Sequence, residues 1–276
     1  MQERWATIDG ARMRYLCAGS GPALILLHGL LGYSFSWRFT IPALAREATI
    51  YAPDMLGAGF SDRPSELDCT FRGCARRVLA FADHVGVSSF NLLGTSHGGA
   101  VAMTAAISAE QNRVSKLILV APVNPWSAHG KRVTCFLSSE LVSTVFLGLA
   151  PHAKFAHRCV LQRLYGDPGR IAPGTLEGYS RPFEKPGGLE YGLRILSTWN
   201  KDLEDLESCL PKIRNLPTLI IWGERDRAVD PASARSLQDY FQNARLVTFD
   251  GVGHLPYEET PERFNQAIVA YLREEN

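Results

Sequence analysis

Almost wholly apolar runs of five or so residues alternate along this chain with longer stretches whose apolar positions recur at helical spacing. Ala23 to Leu27, Ala48 to Ala52, Phe90 to Leu93, Lys116 to Ala121 and Thr218 to Trp222 are such runs, and Arg245 to Phe249 follows as a last strand. Runs without a polar face predict strands covered on both sides. Trp37 to Arg46, Phe71 to Val85, Ala100 to Ala109, Ala232 to Phe241 and Pro261 to Arg273 carry the helical period. Gly86 stands where a helix C-cap is expected. Arg4 to Ile8 and Met13 to Ala18 flank Asp9-Gly10, a hairpin-turn pair, which predicts an antiparallel start. The alternation as a whole predicts an α/β fold: a mainly parallel central sheet with helices on both faces.

From Val123 to Leu210 the pattern changes. Phe136 to Leu149 and Ala153 to Leu164 keep a helical period without strands between them, and Gly- and Pro-rich loops separate the pieces at 166–174 and 181–188. This reads as a helical lid insertion at 123–210 in an α/β core made of 1–122 and 211–276.

Composition narrows the function. At 276 residues the chain can bury a large core, and 46% hydrophobic with 21% charged residues is ordinary for a globular protein. A formal net charge of +1 gives no general field for nucleic acid or an anionic membrane. No apolar run is long enough to span a bilayer. The start, Met1-Gln2-Glu3-Arg4-Trp5, lacks the charged-then-apolar pattern of a secretory signal. Six cysteines with no Cys-x-x-Cys pair then read as reduced thiols in a cytoplasmic protein. Gly57-x-Gly59 lacks the third glycine of a dinucleotide loop, and no metal-ligand set is visible, so no cofactor or metal is expected.

The chemistry centres on Gly94-Thr95-Ser96-His97-Gly98. Gly-x-Ser-x-Gly occurs by chance in roughly one chain in ten of this length. Here it closes a strand and opens a helix, the context of a strained turn that presents a serine hydroxyl at the end of a sheet. A serine needs a base, a group to orient that base, and donors for the oxyanion. His254, in Gly251-Val252-Gly253-His254 after the last strand, is the expected base. The expected orienting acid is Asp226, in Trp222-Gly223-Glu224-Arg225-Asp226, or its competitor Asp230. Ser96, Asp226 and His254 directly follow predicted strands, so they share the carboxyl edge where α/β sheets bind ligands.

These pieces, with His28-Gly29-Leu30 and Asp54-x-x-Gly57-x-Gly59-x-Ser61-Asp62, resemble the α/β-hydrolases over nearly the whole chain, in the order Ser, Asp, His. The chain is similar in particular to the branch of capped esterases, non-haem haloperoxidases and carbon–carbon bond hydrolases. The resemblance favours Asp226 over Asp230 as the acid and implies an oxyanion hole formed by the backbone N–H groups of Leu30 and His97. It implies a bracing role for His28 and a loop-tying role for Asp54 and Asp62. Trp126, Phe136, Trp199 and Leu255 are expected to line the pocket, with Phe146 and Phe155 as further aromatic lid residues. The implied function is hydrolysis of a small apolar carboxylic ester through an acyl-enzyme on Ser96. Two alternatives stand beside it: cleavage of carbon–carbon bonds in diketones from aromatic breakdown, and a non-catalytic receptor for a small ligand on the same fold. A serine rather than an aspartate at the elbow speaks against epoxide opening and halide displacement.

Overall fold

The computed structural model describes residues 1–127 and 154–274. Eight strands form one sheet: β1 (Gln2–Ile8), β2 (Ala11–Ala18), β3 (Ala23–Leu27), β4 (Thr49–Pro53), β5 (Phe90–Thr95), β6 (Val114–Val120), β7 (Thr218–Gly223) and β8 (Ala244–Phe249). Their spatial order is β1-β2-β4-β3-β5-β6-β7-β8. β1 and β2 form the expected hairpin, with Asp9 and Gly10 both at positive φ (52° and 76°) in its turn. β2 pairs antiparallel with β4, and from β4 to β8 every pairing is parallel.

The apolar runs are continuous because each face of the sheet has its own core. Ile25 and Leu27 of β3, Leu92 of β5, Leu117 and Leu119 of β6 and Ile220 of β7 enter one cluster. Their neighbours Leu24, Leu26, Leu93, Ile118, Leu219 and Ile221 enter the other. The described helices are α1 (Ile41–Leu44), α2 (Phe71–His84), α3 (His97–Ser108), α4 (Lys154–Leu164), α5 (Thr175–Ser180), α6 (Gly188–Cys209), α7 (Ser233–Tyr240), α8 (Pro256–Glu259) and α9 (Pro261–Arg273). The first cluster holds Phe71, Val78 and Phe81 of α2 and Val101 and Met103 of α3, together with Ile195 of α6. The second holds Ile41 and Leu44 of α1 and Phe264 and Ile268 of α9.

Two boundaries depart from the sequence pattern by more than the one or two residues seen at most other element ends. The single helix expected over Trp37 to Arg46 is a 3-10 turn, Ser34–Trp37, followed by the short α1. Pro42 within α1 has no N–H and cannot carry a helix back through residue 38. The helix after Ser96 begins at His97, three residues before the apolar run that announced it, because the glycines of the elbow already have helical geometry. At the end of α2, Gly86 adopts φ 74° and Val87 N–H bonds to Ala82 carbonyl, closing the helix as its glycine suggested. Between β6 and β7 the described residues contribute α4, α5, α6 and short 3-10 turns, without strands. No helix among the described residues is long and apolar enough to cross a membrane.

Candidate active site

Ser96 sits between β5 and α3 with φ 51° and ψ −122°, a conformation that costs a non-glycine residue about 1–3 kcal/mol. The surrounding backbone holds it there. Its N–H donates to Val120 carbonyl at 3.0 Å, and its carbonyl accepts from Gly99 at 2.9 Å and Val123 at 3.0 Å. A side chain at Gly94 would run into the carbonyl of Gly98, and one at Gly98 into the carbonyls of His28 and Leu27. The spacing of the motif is therefore a packing requirement of strand against helix against the β3 loop. The same packing brings that loop to the serine: a Cβ on Gly29 would lie 3.2 Å from Ser96 Cβ and 3.8 Å from Ser96 Oγ.

The β3 loop is stiffened from both sides. Gly32 N–H bonds to Gly29 carbonyl, and Leu31 takes φ 58°. His28 Nε2 accepts the N–H of Met55 at 3.0 Å, which fixes the proton on Nδ1, and Nδ1–H donates to Gly29 carbonyl at 2.9 Å. Burial pushes the His28 imidazole below its ordinary range, so it stays neutral as this pairing demands. The glycine-rich loop after β4 is tied by Asp54, which accepts the amides of Ser34 and Phe60 and faces Arg14 at 3.1 Å, and by Asp62, which accepts the amide of Arg12.

At β7 and β8 the other two groups meet. His254 Nδ1 lies 2.7 Å from Asp226 Oδ2, with both residues buried. The second oxygen of Asp226 accepts the amides of Ala228 at 2.7 Å and Val229 at 3.1 Å, which fixes the carboxylate plane. Asp230 is used elsewhere: its carboxylate accepts Ala232 N–H and its backbone carbonyl accepts Ser233 Oγ–H ahead of α7, and its own amide is held by Ser127. Asn124, in the loop after β6, is turned to Ser233 and the Pro122 carbonyl.

His97 opens α3, so its backbone N–H has no acceptor within the helix and is available at the edge beside Ser96. Its imidazole is wholly buried between Phe71 (centroids 5.4 Å apart) and Trp199 of α6 (6.1 Å, nearly parallel), and neither ring nitrogen has a protein partner. Burial lowers its pKa to about 3, with nearby His28 adding to the shift. Of the expected pocket residues, Trp199 thus stacks on the serine's neighbour. Trp126 lies instead on Tyr240 of α7, at 5.4 Å. Leu255 is buried in the second core cluster beside His254. Phe136 and Phe146 lie outside the described residues.

Sequence reasoning missed the residues that bind the β6–β7 insertion to this edge. Glu258 receives both guanidinium nitrogens of Arg38, the hydroxyl of Tyr179 at 2.7 Å and that of Tyr165 at 3.3 Å. Burial and the Glu258 charge push both tyrosines above their ordinary range. Arg63 donates to the carbonyls of Gly59, Pro182, Lys185 and Pro186. Two adjacent glutamates before a closing helix read as a solvated helix start, and carbonyl partners leave no trace in a sequence.

Comparison with known proteins identifies the fold and the family. Residues 22–261 match the family described as alpha/beta hydrolase fold. The hydrolase YugF of Bacillus subtilis is 27% identical over 97% of this chain and 96% of its own length. Haloalkane dehalogenase 2 of Mycobacterium tuberculosis is 26% identical over 97% of this chain and 94% of its own. The crystal structure of an alpha/beta hydrolase fold protein from Burkholderia ambifaria superposes with a TM-score of 0.85 at 26% identity, covering 97% of each chain. With a match over residues 22–261 and a mainly parallel eight-stranded sheet, the chain belongs to the α/β hydrolase fold family.

Proposed function

We propose that this hydrolase cleaves carboxylic esters of small apolar molecules through an acyl-enzyme on Ser96, without a cofactor. The observation that carries the reading is the 2.7 Å contact of His254 Nδ1 with Asp226 Oδ2 at the sheet edge that presents Ser96 in its strained turn. In this reading Ser96 Oγ attacks the ester carbonyl while His254 Nε2 takes its proton, and Asp226 orients the ring and stabilises the imidazolium. The oxyanion is met by the backbone N–H groups of Leu30 and His97. Collapse breaks the carbon–oxygen bond, and His254 returns the proton to the departing alcohol. Water, deprotonated by His254, then attacks the acyl carbon and frees the acid and Ser96 Oγ–H. The insertion between β6 and β7 acts as the cap over this site, with Trp199 among the residues that shape the acyl pocket.

Ser96 also weighs on what the relatives' names suggest. Displacement of halide from carbon by a serine would leave an ether, which water does not readily cleave, whereas a carboxylate nucleophile leaves a hydrolysable ester. The test is hydrolysis of short p-nitrophenyl esters by the wild-type protein and by Ser96→Ala, with intact mass after treatment with a serine-directed phosphonate. Turnover lost in Ser96→Ala and a single adduct on Ser96 support the ester reading. An adduct on Ser96 without ester turnover redirects it to carbon–carbon cleavage or ligand reception. Turnover that survives in Ser96→Ala overturns it.

A further inference from the structure

The turn that carries His254 does not rest on the core alone. Glu259, whose side chain is fully buried, places a single oxygen, Oε1, between two segments: it accepts the N–H of Gly253 at 2.7 Å and the N–H of Gly166 at 2.9 Å. Gly253 precedes the base, and Gly166 belongs to the insertion just after α4. The second oxygen accepts Asp167 N–H at 3.2 Å, and Arg170 stands 3.7 Å away. The N–H of His254 itself donates to the carbonyl of Leu164, at 2.7 Å. Main chain packs on main chain here. A Cβ on Gly166 would come within 2.6 Å of Gly251 carbonyl and 2.7 Å of Gly253 nitrogen, and one on Gly223, at the end of β7, would strike the Gly253 carbonyl. A buried carboxylate without donors is strongly disfavoured, so these amides and the charge at Arg170 hold Glu259 in one place as firmly as it holds them.

We propose that Glu259 is the positioning residue for the base, and that the insertion is thereby part of the mount of His254 as well as a cover over it. The assignment rests on the reading of His254 as the catalytic base. Glu259 touches no reacting atom. It fixes the backbone from which the imidazole projects toward Asp226, and a misplacement of about 1 Å in such a group costs on the order of 100-fold in rate.

The experiment compares Glu259→Ala, Glu259→Gln, Gly166→Ala and a control, Arg63→Met, which loosens the insertion at residues 182–186 without touching the base's turn. Phosphonate titration of Ser96 counts competent sites, so that any unfolded fraction is divided out. Proton NMR follows the low-field imidazole proton shared between His254 and Asp226, independently of turnover. Glu259→Ala and Gly166→Ala are expected to lower kcat per titrated site about 30-fold or more with KM within about twofold, and to broaden or lose the low-field proton. Glu259→Gln keeps an acceptor for Gly253 and Gly166 and recovers most of kcat. Arg63→Met lowers the unfolding midpoint and leaves kcat per site within about threefold. An unchanged low-field proton and kcat in Glu259→Ala, or an equal kcat loss in Arg63→Met, overturns the assignment. Failure of the hydrolase reading appears separately, as absence of labelling and turnover in the wild-type protein while the low-field proton still reports on Glu259.

Discussion

At the carboxyl edge of the sheet, Ser96 and Asp226 are delivered by the one to three residues that follow a strand, and His254 by five, while along the seam with the insertion Glu258 joins residues 79 to 220 positions away. The edge is made of short-range geometry: a glycine-spaced elbow, a strand-end turn, a carboxylate that accepts the amides two and three residues on. The seam is made of buried charge. Glu258 and Glu259 sit side by side in α8 and point to different partners, one to Arg38 and two tyrosines, the other to the amides of Gly253, Gly166 and Asp167. On the proposed function, chemistry and attachment are thus separated in kind. Damage at the edge should remove activity and spare stability, and damage at the seam should do the reverse unless it reaches the turn of His254.

The sharpest test of that separation is Ser96→Ala, expected to lower ester turnover by about five orders of magnitude with no change in the urea midpoint. Next is Asp226→Asn. The amide can still accept from Ala228 and Val229, but it favours the wrong tautomer of His254, and kcat is expected to fall about 10⁴-fold in steady-state assays while the fold stays intact. At the seam, Arg38→Met leaves the Glu258 carboxylate, with a fully buried side chain, without its cation. A loss of about 3 kcal/mol in unfolding free energy is expected by urea titration. A loss of activity as large as that in Asp226→Asn would break the comparison from the seam side.

The smallest expected effect is on pH dependence and comes from His97. Burial holds its folded-state pKa near 3, against about 6.5 in the unfolded chain. Between these values the unfolded chain binds the proton and the folded protein does not, so stability is full above pH about 6.5 and falls as pH drops toward 3. The loss by pH 5 from this residue is on the order of 2 kcal/mol. In His97→Phe, which keeps the ring stack on Phe71 and Trp199, the drop in urea midpoint between pH 7 and pH 5 is expected to shrink. An unchanged drop would show that His97 is protonated in the folded state.

How much of this could be read from the chain follows the same division. The hairpin at Asp9-Gly10, the doubly buried strands and the Ser96 elbow were legible because each is enforced within a few residues, by turn chemistry, alternation between two cores or glycine spacing. The association of Asp226 with His254 was legible only through family resemblance, since nothing local distinguishes it from Asp230. The aromatic residues of the insertion were grouped by composition, and the structure separates them: Trp199 on His97, Trp126 on Tyr240. Arg38, Arg63, Glu258 and Glu259 were illegible because their partners are distant or are peptide groups, which every residue supplies alike.

That last property bears on how such a protein can change. Arg63 grips the main chain at Pro182, Lys185 and Pro186, the hydroxyl of Tyr33 grips it at Gly178, Glu259 at Gly166 and Asp167, and the amide of His254 at Leu164. Apart from Gly166, where no side chain fits, and the two tyrosines on Glu258, these contacts recognise the path of the insertion's backbone rather than the side chains it carries. Substitutions elsewhere on the insertion can therefore accumulate while its attachment persists, so that its side chains are free to drift under selection on a scaffold that stays fixed.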